Sequence, residues 1–436
     1  MYKIVKKTWL IVILILGLFS NYGFTGENDN PFDPESSEAI GSIFHQELQK
    51  IRGSRISVQE KGGRYAELGE SALEVPKAYP LAIEAFEEAL KMDPMNSKAN
   101  FYHGILKPFL HLRGFSMRLS KILSPEAVSQ LTFSAVNDEK DAELQKIISE
   151  FLHDANHRPI FKTMTEFQTF LFSELLPLLE ESKRKMDVAL RDPTFKIKFV
   201  ISRWDNPKLW SGHQGYVIFD AIDVLSVKHV CEGLIFFIKI FSAYDLDALL
   251  NLRNEFTNKE GDTQKEVIEA IRKYPSFLTL KKGFALSLKE VLRDAPNAIE
   301  GLRLIGKMLK NDTVRAEKLF NTFKTESDYQ DFLDGLTKAT EVISGPFEVQ
   351  IEANNAENPN PKKILVNGTV FLSKPIPDLK ALLPREFSKN EKIAKSFPDQ
   401  TFGGLIPNGD FISSLCALPK EVRLAKGFCE DEERQK

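Results

Sequence analysis

The residues best placed by type and spacing to do chemistry are His153 and His157, in "EFLHDANHRP". Four positions apart, they could face one way on a helix, as zinc ligands do, with Glu150 and Asp154 close enough to lend oxygens. The ligand set then stops: no third His stands at a defined spacing, and neither H-E-x-x-H nor a Cys pair is present. A polar cluster at a helix end before Pro159 is the expected reading, with no metal. A second partial motif is "GLRLIGKM", Gly301 to Met308, which satisfies G-x-x-x-x-G-K. Met308 then stands where a Ser or Thr hydroxyl must reach magnesium, and no strand precedes the run, so an amphipathic helix with two glycines is expected and no nucleotide. G-x-S-x-G is absent, and no Cys lies in a catalytic context. Acidic pairs such as Glu87-Glu88 and Glu180-Glu181 read as solvated helix faces. These absences point away from an enzyme and from any cofactor.

Two loops could make contacts instead of chemistry. "RWDNPKLWSGHQGY" gathers Trp204, Trp210, His213 and Tyr216, a set able to grip a partner or to plug the core. "FPDQTFGGLIPNGDF" reads as a docked C-terminal segment. Of three cysteines, Cys231 sits in the apolar run "VCEGLIFFIKIF" and reads as a small buried hydrophobe. Cys416 and Cys429 flank "ALPKEVRLAKGF" and are the disulfide candidate. The acceptor patterns at Asn311 and Asn367 are read as coincidental.

The chain that must position these residues opens with Lys3, Lys6 and Lys7 before an apolar run from Trp9 to Phe19, the order of a secretory signal. The run is short of the ~20 residues a spanning helix needs. Residues 1–24 are therefore expected to direct export to a bacterial envelope or beyond, leaving no membrane span. Their removal takes three lysines and no acids, moving the net charge from −3 to −6. An acidic surface without clustered cations excludes a phosphate backbone as partner, so nucleic acid is not expected. With 42% hydrophobic residues the chain can fill two or three cores, and 33 Phe against 3 Trp favour packing over an aromatic binding face.

Residues 25–40 read as an acidic linker and 41–192 as helical. "PLAIEAFEEALKM" puts Leu81, Ala82, Ala85, Phe86, Ala89 and Leu90 on one stripe, with Glu87 and Lys91 as an i,i+4 pair, and stops at Asp93-Pro94. Pro177 should kink "TEFQTFLFSELLPLLEESKRKM". Residues 193–345 read as a helical core entered by the strand "FKIKFVISRW", whose central helix begins with "GYVIFDAID"; "FALSLKEVLRDA" and "PNAIEGLRLIGKMLKN" follow as helices, and Gly345 closes the last one. Residues 346–436 read as a small β-containing appendage, with Asn367-Gly368 as a hairpin turn.

The stretch "AIEAFEEALKMDPMNSKANFYHGIL" resembles a tetratricopeptide repeat, with Ala82, Phe86, Ala89, Pro94 and the following Gly104 at the family's positions. Asn100 stands where that family has Trp, Lys107-Pro108 interrupts the second helix, and the upstream "YAELGESALEVPKAYP" carries extra residues. The fold expected is mostly α: an irregular helical-repeat-like body with this hairpin and the β appendage. What the resemblance implies is a non-enzymatic scaffold that holds a protein or peptide partner, with Asn100, Phe101 and His103 as contacts beside Trp204, Trp210 and His213. The second expectation is a carrier of an apolar ligand, lined by the helix from Ile235 to Phe241. A hydrolase or metalloenzyme comes third.

Overall fold

Small residues at close helix crossings, and strand pairs between the helices, set the architecture. The computed structural model describes residues 34–73, 78–122, 159–200, 216–256, 264–311, 323, 325–350, 363–387 and 394–409. Within them the helices are α1 Pro34–Gly53, α2 Val58–Leu73, α3 Tyr79–Met92, α4 Ser97–His111, α5 Phe115–Arg118, α6 Met164–Thr169, α7 Leu176–Ala189, α8 Ala221–Phe241, α9 Ala248–Phe256, α10 Gln264–Arg272, α11 Phe284–Asn311, α12 Glu326–Ser344 and α13 Val370–Ser373. Strands β1 Lys196–Val200 with β2 Tyr216–Asp220, β3 Pro346–Gln350 with β4 Lys363–Asn367, and β5 Glu386–Phe387 with β6 Ala394–Ser396 form three two-stranded antiparallel sheets. The fold is mostly α with small hairpin sheets, as the sequence leads one to expect. No helix among the described residues is long and apolar enough to cross a membrane.

The chain divides into two units, both discontinuous: residues 1–161, 173–235 and 301–335, and residues 162–172, 236–300 and 336–436. The contiguous divisions at 192 and 345 are thus not those of the folded chain, because α8, α11 and α12 each supply residues to both units. Helix α1 begins at Pro34, so the acidic linker is shorter than composition suggests.

In the first unit, α2 packs on α3 and α4 on α3 and α7. Asn96 caps α4 by accepting from Ala99 N, and α4 is buried almost all round from Ala99 to Leu106. Pro108 does not break it. A proline four residues on leaves the Gly104 carbonyl without its helical N–H. Ser182 of α7 supplies the missing donor at 2.6 Å and shares its proton with Leu178 O at 2.8 Å. Ser182→Ala is expected to cost about 1–2 kcal/mol, because it leaves that buried carbonyl unpaired; chemical denaturation checks this, and an unchanged midpoint would count against it.

The strand "FKIKFV" is as expected, with Phe195 and Ile197 buried. "GYVIFD", read as the start of a helix, is instead β2, paired from Lys196↔Asp220 to Val200↔Tyr216. Helix α8 starts only at Ala221, where a reciprocal cap fixes it: Asp220 Oδ1 accepts from Ile222 N, and buried Asp223 Oδ2 accepts from Asp220 N at 2.8 Å.

In the second unit, Ala248, Leu252, Ala270 and Phe277 form a core over which Leu246, Ile271, Tyr274 and Leu278 close. Gln168 of α6 donates to Phe241 O and Tyr244 O, satisfying the carboxyl end of α8, and accepts from Lys281. Pro177 produces a π turn over Phe170–Leu175 between α6 and α7, the form the expected kink takes. Pro296 leaves α11 unbroken, so the two helices read on either side of it are one. Gly345, at φ +131°, closes α12 as expected. Asn367-Gly368 is not a hairpin turn: Asn367 ends β4 and its side chain accepts from Thr369 N and Oγ1, leading into α13.

Candidate functional site

Polar side chains inside the first unit cluster in two places, both on helix α7. The first cluster surrounds α4. His103 Nε2 lies 3.4 Å from Glu87 Oε1, which also accepts from Lys107 Nζ at 3.2 Å, while Lys185 pairs with Glu181 at 3.5 Å. His103 is 2% exposed and its Nδ1 has no hydrogen-bond partner. Burial above all, then the charges of Lys185 and Lys107, depress its pKa to about 4, against the opposing pull of Glu87 and Glu181. The ring is therefore neutral at neutral pH. Burial alone would raise Glu87, but Lys107 and His103 outweigh it and hold the carboxyl below its ordinary value. Lys185 is lowered by burial. A neutral imidazole beside a carboxylate is the composition of a general base, yet here the imidazole is buried among helices, while Glu87 and Lys107 are partly open to solvent.

The residues read as partner contacts belong to the same packing. Asn100 (3% exposed) donates to Pro94 O and Asn96 O, tying the turn before α4 to its first turn. Phe101 (0%) sits edge-on to Phe195 of the segment entering β1 at 5.3 Å and tilted against Phe219 of β2 at 5.4 Å. Asn100, Phe101 and His103 are thus interior, and the face of α4 that would meet a partner is covered by the chain's own β1–β2 hairpin and α7. Sequence reasoning placed them on an open hairpin because the elements that cover them follow only after a long interval of chain. Trp204, Trp210, His213, His153, His157, Cys416 and Cys429 lie outside the described residues, as do residues 1–24, read from the sequence as a secretory signal.

The second cluster joins α7, α8 and α11. His229 Nδ1 lies 2.6 Å from Glu232 Oε2, and Lys183 Nζ lies 2.9 Å from Glu232 Oε1; Lys228 pairs with Asp187 at 2.6 Å. Burial pushes the Glu232 carboxyl up, but hydrogen bonds and charge from His229 and Lys183 prevail and hold it down at about 2. A carboxylate that orients a histidine is the arrangement of a catalytic pair. Here, however, the far side of the ring lies against the backbone of α11, where a Cβ at Gly301 would come within 2.1 Å of His229 Nε2. The pair therefore locks three helices, and "GLRLIGKM" is helix surface whose glycines admit side chains, Gly306 facing Phe332 as Gly301 faces His229. Glu232→Gln keeps the shape and removes the charge. It is expected to cost about 2 kcal/mol at neutral pH, a deficit that shrinks as the wild-type carboxylate titrates below pH 4.5 toward 2; urea unfolding at pH 7 and 3 tests it, and equal deficits would refute it.

Among the described residues no three His, Cys, Asp or Glu side chains converge as a metal site. Cys231 is a buried thiol, raised to about 12 by burial and then by the Glu232 charge. Within the stretch expected to line an apolar cavity, Phe237 is 49% and Ile240 46% exposed, while Ile235 and Ile238 turn inward. Glu88, read as solvated, is largely covered and binds Arg52 and Lys91, so Lys91 pairs at i,i+3 rather than with Glu87. The surface depression bounded by Gly41, Ser42, His45, Gln46, Gln49 and Lys50 runs along α1 alone and is open. No family model matches the chain, and no curated protein or solved structure matches it either.

Proposed function

We propose that this chain is a non-enzymatic interaction or scaffold protein, exported under the direction of its N-terminal segment, which holds a protein or peptide partner on its helical surface. The observation that supports the reading is the use of the two polar clusters. Each joins helices to one another, and in each the histidine is buried, His103 at 2% and His229 at 9% exposed. The partner-binding surface belongs to the outer faces of the first helices, since the face at Asn100, Phe101 and His103 is filled. On α2 the exposed residues Arg64, Glu67 and Ser71 form one polar stripe opposite buried Tyr65, Gly69 and Leu73.

Crosslinking in native cells followed by mass spectrometry tests this. A defined partner is expected, and its yield should fall several-fold in Arg64→Glu/Glu67→Lys, surface changes that leave stability within about 0.5 kcal/mol. Absence of any specific crosslink would overturn the proposal. Substitution of Phe101 cannot serve, because loss of a buried aromatic costs about 3–5 kcal/mol and would report unfolding.

A further inference from the structure

We infer that α4 and α7, separated in sequence by residues 112–175, are the two helices of one repeat of the same kind as the α2–α3 hairpin, opened by an insertion at the turn between them.

The correspondence holds helix by helix. On the second helices, Tyr79, Ala82, Phe86 and Ala89 are buried in α3, and Leu179, Ser182, Met186 and Ala189 are buried in α7 at the same intervals. On the first helices, Tyr65, Ala66, Gly69 and Leu73 of α2 match Asn100, Phe101, Gly104 and Pro108 of α4 in spacing and burial. The close approach is the same in both: a Cβ at Gly69 would come within 2.6 Å of Phe86, and one at Gly104 within 2.6 Å of Met186. Both second helices run into a like turn. "ALKMDP" ends α3 and "ALRDP" ends α7. In each the aspartate bonds the backbone two residues on, Asp93 Oδ1 accepting from Met95 N at 3.1 Å and Asp192 Oδ1 from Thr194 N at 2.9 Å.

Spacing, glycine contact and turn are independent of one another, and all three agree. A helical hairpin accepts such an insertion because the two ends of its turn lie side by side, and the entropic cost of closing a loop grows only logarithmically with its length. Part of the inserted segment leaves the unit that holds the hairpins. Its Lys162–Phe172 belong to the second unit, where Gln168 binds the end of α8. The division of the chain into two discontinuous units therefore begins inside a split repeat. After Asp192-Pro193 no third hairpin of this kind follows among the described residues; Phe195 and Phe219 pack on Phe101 and close the array at two repeats.

The inference does not depend on whether a partner binds, and it is tested on the full chain. A site-specific protease sequence is placed between Lys140 and Asp141, the folded protein is cleaved to completion, and the products are run by size-exclusion chromatography. If α4 and α7 form a closed repeat, the two pieces co-elute at the position of the intact protein, with a melting temperature within a few degrees of it. Met186→Asp, folded before cleavage, should come apart into two peaks after it; should that variant fail to fold, Ser182→Val takes its place. Two peaks from the cleaved wild type would overturn the inference. So would a single peak from the cleaved variant, since the hairpin contact would then not be what joins the pieces.

Discussion

Gly301→Ala is expected to destabilise the protein by about 3 kcal/mol, although helix propensity alone would favour alanine there by about 1 kcal/mol. The deciding quantity is the contact. A Cβ at this position would stand 1.9 Å from His229 Cε1 and 2.1 Å from Nε2, distances no real methyl group keeps. The ring cannot swing aside cheaply, because its Nδ1 is held 2.6 Å from Glu232 and that carboxylate is held in turn by Lys183. Breaking a hydrogen bond to a charged, mostly buried carboxylate costs about 1.5–3 kcal/mol, which together with the overlap outweighs the propensity gain. Urea unfolding of the single variant and of Gly301→Ala/His229→Ala separates the two effects. The double variant should recover part of the loss, because the methyl then fills space the ring has left. A single variant more stable than wild type would show that the ring does not lie on α11.

Lowering the pH from about 6.5 to 4 is expected to remove about 3 kcal/mol of stability through His103 alone. Its folded pKa of about 4 lies below the ordinary value of 6.5. Over that interval the unfolded chain binds the proton and the folded chain does not, so stability is complete above pH 6.5 and declines as pH falls. The groups that set the window surround the ring: burial first, then Lys185 and Lys107, with Glu87 and Glu181 opposing. The unpartnered Nδ1 is where the added proton would have to sit without an acceptor. Melting temperatures measured from pH 7 to 4 should fall more steeply for wild type than for His103→Gln, which has nothing to titrate there. Parallel slopes would sink the argument. The window is distinct from that of Glu232, whose contribution is lost only as pH falls below its ordinary range toward 2.

Much of the fold was legible locally. The stripe in "PLAIEAFEEALKM", the stop at Asp93-Pro94, the strand "FKIKFV" and the glycine after Ser344 are written in spacing and turn chemistry, and each stands where it was read. The misreadings share a cause, which is competition from residues distant in sequence. Pro108 interrupts a helix on paper, but a hydroxyl from α7 replaces the lost donor. "GYVIFD" carries helix-compatible apolar residues, but β1 offers its backbone a ladder. Asn367-Gly368 suits a hairpin, but β4 pairs with the earlier β3 instead.

The candidate site shows the same division. The sequence offered His103 as a partner contact, and Gly301 and Gly306 as two glycines within an amphipathic helix. Whether these were surface, ligand or core depended on what packed against them, and no local pattern carries that information. The sequence by itself determined that the chain is mostly helical, acidic after its first segment, poor in cysteine, and without a complete catalytic or metal motif, because composition and short-range spacing act before any tertiary contact forms. Only the tertiary structure decided that the open-looking face of α4 is filled, that His229 locks α8 against α11, and that "ALRDP" answers "ALKMDP" across an insertion, because burial and close approach arise between residues the chain holds far apart.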